Sequence, residues 1–187
     1  GNLLCAYLKE KGIRVSAGHC MGADLSHVDQ VTHLYNAMGA FSHRTQSTVV
    51  SALCNDNIYT EIIADGIHVQ KDVLNITFRT KPLNKIILIS DALPITHSDK
   101  DSMDFCSKKV FLQNGKAVDS NGTIAGSTAF VYDIIKMLVN QGMLDLRTAC
   151  AMASKNLTYI QDLNSQLYWD SSCNIQAMNI NGSLVTF

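Results

Sequence analysis

The feature that most constrains this chain is a rhythm of short apolar runs separated by helical stretches, with each run ending in a residue that can ligate an ion or move a proton. The run 13–17 stops at Gly18-His19. The run 31–34 contains His33, the run 59–64 closes on Asp65-Gly66-Ile67-His68, and the run 85–89 ends in Ser90-Asp91-Ala92. Strands of a parallel sheet are buried on both faces and read as continuous apolar segments. A polar residue where such a segment stops therefore lies at its C-terminal end. Four consecutive strand ends that deliver His19, His33, His68 and Asp91 form a pattern stronger than any one of its members.

The connecting segments complete an α/β reading. Residues 3–11 read as a helix with Gly12 as its C-terminal stop. A short helical connection is expected over 23–30, with further helices over 48–54 and over 69–79, the last stopped near Pro82. Beyond Asp91 the character changes. Residues 94–107 are polar and loop-like, and 109–112 with 116–119 predict a hairpin turning at Asn114-Gly115. The glycine-rich stretch 121–127 leads into a helix over about 129–141, and a second helix is expected over 146–157. Residues 174–187 read as two strands around Asn181-Gly182. There is no internal repeat, low-complexity tract or charge run.

A length of 187 residues suits one domain or part of a larger one, and the initial Gly1 suggests a fragment or a processed chain. The 47% apolar and 17% charged content is that of a globular chain. A net charge of −1 lacks the basic footprint of a nucleic-acid binder, so no nucleic-acid partner is expected. The six cysteines lack paired spacing and suit reduced thiols. No apolar run approaches the ~20 residues needed to cross a bilayer, so no membrane association is expected and the localisation reads as cytoplasmic.

Neutral imidazole is the commonest ligand for zinc and related ions, and histidines from adjacent strand ends can share one ion. No H-x-H, H-E-x-x-H or C-x-x-C motif accompanies them. A histidine is as readily a surface or hydrogen-bonded core residue, and Cys20, beside His19, as readily a small buried hydrophobe. Glycines before a helix can cradle a phosphate, although most such runs are turns.

The words Gly18-His19, Thr32-His33-Leu34-Tyr35-Asn36-Ala37-Met38, Glu61-Ile62-Ile63-Ala64-Asp65-Gly66-Ile67-His68-Val69, Ser90-Asp91-Ala92 and Gly122-Thr123-Ile124-Ala125-Gly126-Ser127, in this order, resemble the N-acetylglucosamine-6-phosphate deacetylase family of the amidohydrolase superfamily. The resemblance runs over nearly the whole chain and weakens after about residue 160. It implies the C-terminal half of a metal-dependent (β/α)8 barrel, with part of a small β-sandwich domain. Residues 1–165 would form the partial barrel, with a hairpin insertion near 108–125, and 166–187 would supply strands of the small domain.

The implied activity is hydrolysis of the acetamide of N-acetylglucosamine 6-phosphate to glucosamine 6-phosphate and acetate. Its implied cofactor is a divalent metal ion, zinc first, with iron or another divalent ion as alternatives. By resemblance, His19 and His33 bind the metal and Asp91 is the acid/base. Asn36, Ala37, Arg44, the Asp65-Gly66-Ile67-His68 turn and the Ile124-Ala125-Gly126 loop match substrate contacts. Arg44 and His68 resemble residues that reach a phosphate in a neighbouring subunit's site, so a homodimer is expected, with an amino-sugar phosphate as the small-molecule partner.

The chemistry asks for these residue types. A metal lowers the pKa of bound water towards ~7 and polarises an amide carbonyl. An aspartate can take that water's proton and pass it to the departing amine. An arginine fork bonds two phosphate oxygens at once. The plain alternatives are a solvated Arg44, an Asp91 that caps a helix and a His68 that fills a turn.

The chain also departs from the family pattern. The family's remaining metal ligand, a glutamate of an earlier strand, has no counterpart upstream of His19, and the connection from His19 to His33 is shorter than the family norm. Gln46 and Ser47 replace the proline and glycine that commonly follow the arginine. Another amidohydrolase, or a non-catalytic sugar-phosphate-binding or assembly partner without a complete metal site, are the alternative readings.

Overall fold

The structure, a computed structural model, describes residues 1–157 and 165–187. Its first half is a parallel sheet with one strand order throughout. Strands β1 (Ser16–Ala17), β2 (Gln30–Val31), β3 (Tyr59–Ile62) and β4 (Ile86–Leu88) pair in sequence, β1-β2-β3-β4, all parallel. Because the strands run the same way, the residues after each strand gather along one edge of the sheet. Val31, Ile62, Ile86, Ile87 and Leu88 are buried, as strands covered on both faces require.

Helices α1 (Asn2–Glu10), α2 (Thr48–Cys54) and α3 (Lys71–Thr80) occupy the connections. The hydroxyl of Ser47 caps α2 by accepting the Val50 N–H, satisfying one of the donors that a helix start leaves unpaired. One buried cluster joins Val15, Val31, Leu34, Met38, Val49, Leu53 and Ile58 under β1 and β2. A second joins Ile62, Leu74, Ile86 and Leu88 to Ile134, Leu138 and Met152 of α4 (Val131–Asn140) and α5 (Leu146–Ala153).

The expected helix over 23–30 does not form. Asp24 accepts the Ser26 N–H at 2.9 Å and the Ser26 hydroxyl at 3.1 Å, so its carboxylate holds a local turn in place of a helical start. Leu25 and Val28, spaced like helix neighbours, are buried from an irregular segment. The expected loop 94–107 contains a strand, β5 (Ser102–Phe105), which pairs antiparallel with β6 (Lys108–Gln113). With β7 (Lys116–Asp119) and β8 (Ile124–Gly126) they form a four-stranded sheet in the order β5-β6-β7-β8. The β6–β7 turn falls at Asn114-Gly115, both with positive φ (50° and 74°), the backbone that a tight hairpin demands.

A further strand, β9 (Gln166–Trp169), joins the two expected C-terminal strands, β10 (Ile175–Ile180) and β11 (Ser183–Thr186), in the order β11-β10-β9. Residues 158–164, which the expected partial barrel includes, lie outside the described residues. All six cysteines are free. Among the described residues, no helix is long and apolar enough to cross a membrane.

Candidate functional site

The edge beyond the strand C-termini is built from backbone of unusual conformation. His19, two residues past β1, has φ +48°; His33, two past β2, has +33°; Asp91, three past β4, has +49°. For an L-residue with a side chain this left-handed region is uncommon and strained. Asn114 and Asn181 show it in hairpin turns, where it is ordinary, and Tyr35, Ala37, His97, Cys106, Ser107 and Cys173 show it as well. At His19, His33 and Asp91 it falls instead on three residues singled out by their chemistry, and strain of this kind clusters at functional sites.

The structure brings the two histidines together. Their rings meet edge to face with centroids 4.8 Å apart. His33 is buried and, among the described residues, its Nδ1 has no hydrogen-bond partner, whereas His19 is exposed. A buried imidazole nitrogen without a partner is rare, and here it is available to an ion. The two imidazoles therefore fit two positions of a divalent ion's coordination shell. Among the described residues, no group of three or more His, Cys, Asp or Glu side chains can hold a metal ion, so the donor set is short of the three protein ligands usual in catalytic zinc sites.

Glu61 is a site residue for which sequence reasoning assigned no role. It is a carboxylate in the otherwise apolar β3, half-buried, and it accepts a hydrogen bond from Gln30 Nε2. Burial pushes its pKa up, opposed by the His33 backbone N–H and imidazole and reinforced by the charge of Asp91. Glu61 thus senses both His33 and Asp91. A glutamate amid apolar strand residues was the available signal.

Asp65 and His68 form a second cluster. Asp65 Oδ1 accepts the backbone N–H groups of Ile67 (2.9 Å) and His68 (2.8 Å), closing a turn that Gly66 permits with φ +74°. Asp65 Oδ2 lies 2.8 Å from His68 Nδ1 and accepts the Ser127 hydroxyl at 3.0 Å. Ser127 in turn donates its N–H to the Asp91 carbonyl at 2.9 Å, so the glycine-rich stretch, the Asp65 turn and the Asp91 segment meet at one serine. Gly126 is packed against that segment: a Cβ there would lie 2.7 Å from Leu93 Cγ and 3.1 Å from the Asp91 carbonyl.

Other expected contacts are bonded locally or exposed. Asn36 turns inward, its N–H bonding the His33 carbonyl at 3.0 Å and its side-chain amide reaching the carbonyls of His33 and Leu34. Ala37 is exposed, with φ +52°. Arg44 lies on an exposed loop, where its Nε donates to His43 Nε2 at 3.1 Å. Ile124 and Ala125 are exposed on β8.

No protein-family model matches the chain. It is 34% identical over 151 residues to an N-acetylglucosamine-6-phosphate deacetylase of Bacillus subtilis, covering 77% of this chain and 36% of that protein. This chain is a homologue of the N-acetylglucosamine-6-phosphate deacetylases. An N-acetylgalactosamine-6-phosphate deacetylase of a Shewanella species is 31% identical over 124 residues, covering 66% of this chain and 32% of its own length. The crystal structure of the Pasteurella multocida N-acetylglucosamine-6-phosphate deacetylase superposes with a TM-score of 0.86 at 27% identity, covering 98% of this chain and 54% of that one. The α/β fold is therefore that of about half a deacetylase of the amidohydrolase type, and the chain spans about a third of the Bacillus protein.

Proposed function

We propose that this chain is the C-terminal half of a metal-dependent (β/α)8 barrel deacetylase that hydrolyses the acetamide of N-acetylglucosamine 6-phosphate to glucosamine 6-phosphate and acetate. The observation that carries the reading is the strained placement of His19, His33 and Asp91 along one edge of a parallel sheet. A strand order of β1-β2-β3-β4 without reversal is what half a barrel would have, whereas a doubly wound sheet reverses its order. Residues 1–165 would be the barrel half, and 166–187 part of a small β domain.

His19 and His33 would hold the divalent ion, zinc first, with a further ligand from a barrel strand outside this chain. When bound, the ion supplies an acidified water and a polarised carbonyl. Asp91, exposed beyond β4, accepts the water's proton and returns it to the amide nitrogen as the bond to acetate breaks, so glucosamine leaves neutral. His68, Arg44, the main chain at Asn36 and Ala37 and the Ile124-Ala125-Gly126 loop would bind the sugar phosphate. Arg44, on an exposed loop, suits a neighbouring copy's phosphate in a homodimer. A cytoplasmic location fits a phosphorylated sugar.

Acetate release from N-acetylglucosamine 6-phosphate, with N-acetylglucosamine and N-acetylgalactosamine 6-phosphate alongside, tests the reading. Preference for the galacto epimer would move the chain towards the Shewanella type. A second reading, a sugar-phosphate-binding partner without catalysis, is favoured by the incomplete donor set. Binding of the sugar phosphate without acetate release is its signature.

A further inference from the structure

We propose that Asp65 is not a substrate ligand but the positioning residue of His68: it fixes the Nδ1–H tautomer, so that Nε2 is the ring nitrogen presented to the sugar phosphate, and Ser127 holds Asp65 in that role. The ligand part of this inference rests on the deacetylase reading; the tautomer part does not.

The Asp65 side chain is 2% exposed and that of His68 6%, so neither group is satisfied by bulk water. Asp65 has four donors on its two oxygens: Ile67 N–H, His68 N–H, the Ser127 hydroxyl and the His68 ring. A carboxylate offers about four acceptor sites, so little capacity remains for a substrate hydroxyl. Burial pushes the Asp65 carboxyl up, but the hydrogen bonds from the His68 ring and from the His68 and Ile67 N–H groups outweigh it and hold the pKa below the ordinary value. The group stays ionised.

An ionised carboxylate can only accept, so the proton in the 2.8 Å contact belongs to His68 Nδ1. Nε2 is then an acceptor for a sugar hydroxyl when the ring is neutral, or a donor to phosphate when the ring is charged. Ser127 adds coupling. Its N–H bonds the Asp91 carbonyl at 2.9 Å, and its own carbonyl accepts the Leu93 N–H and the Thr96 hydroxyl, each at 3.1 Å. The orientation of His68 is thereby tied to the segment that carries Asp91.

The test is long-range 1H–15N NMR of the histidine rings in the full chain, with His68 assigned by the signals missing in His68→Gln. The expected result is a protonated Nδ1 and a bare Nε2 in the neutral ring. Asp65→Asn keeps an oxygen for the turn but places an amide donor against Nδ1; it should invert the tautomer and weaken N-acetylglucosamine 6-phosphate binding on the order of tenfold. A bare Nδ1 in the wild type, or an unchanged tautomer in Asp65→Asn, overturns the proposal. Should Asp65→Asn fail to fold, Ser127→Ala carries the test: displaced His68 ring shifts support the coupling, and unchanged shifts overturn it. If the tautomer behaves as expected but the sugar phosphate does not bind the wild type, the positioning stands and the deacetylase reading falls.

Discussion

The rings of His19 and His33 meet edge to face at 4.8 Å between centroids, although their strands are joined by an irregular segment with no helix. Among the described residues, the buried Nδ1 of His33 has no hydrogen-bond partner. This pair should bind zinc, measurable by competition with a chromogenic chelator. His33→Ala and His19→Ala should each weaken binding by about tenfold or more. Acid should release the ion, because the ligating imidazoles must be neutral. Unchanged affinity in both variants would remove the pair from the site.

Gly126 is where the glycine-rich strand touches the Asp91 segment. Gly126→Ala would set a methyl 3.1 Å from the Asp91 carbonyl and 2.7 Å from Leu93 Cγ, and backbone cannot give way as a side-chain tip can. The expected cost is about 1–3 kcal/mol in urea denaturation. A neutral result would mean that the contact between β8 and the Asp91 segment is loose.

Lys81 supplies a pH signature unrelated to catalysis. Its ammonium is buried and donates to the carbonyls of Ala52 (2.8 Å) and Asn55 (2.5 Å), tying the end of α2 to the end of α3. Burial lowers its pKa from 10.5 to about 8, with a smaller upward pull from Asp56. The unfolded chain therefore binds a proton between about pH 8 and 10.5 that the folded chain has lost. Stability therefore rises with pH across that window, by on the order of 3 kcal/mol, as the cost of burying a charged Lys81 is relieved. Lys81→Met should flatten this part of the urea-denaturation profile, and an unchanged slope would contradict the assignment.

The strand ends were legible because buried parallel strands announce themselves as apolar runs, and His19, His33 and Asp91 follow within three residues of their ends, whereas His68 lies six residues past β3 in the Asp65 turn. Helix α2 was legible to the residue, since Ser47 caps it and its turn alternates apolar and small side chains. The segment 23–30 was not, because Leu25 and Val28 mimic helical spacing while the Asp24 carboxylate commits the backbone to a turn. Strand β5 was hidden by its polar, half-exposed sequence, Ser102-Met103-Asp104-Phe105, whose pairing with β6 is a tertiary fact. Ser127 was equally silent: its importance comes from Asp65, 62 residues away, and no local pattern reports such a meeting.

The most direct test of the central claim is acetate release from N-acetylglucosamine 6-phosphate by the zinc-supplemented protein joined to the barrel half that carries the remaining metal ligand, compared with Asp91→Asn in the same protein. The wild type should release acetate, and Asp91→Asn should lower that release at least about a hundredfold with sugar-phosphate binding retained, as expected for loss of a proton-transfer group. Equal acetate release from both proteins would contradict the role of Asp91, and binding without any release would contradict the enzyme itself.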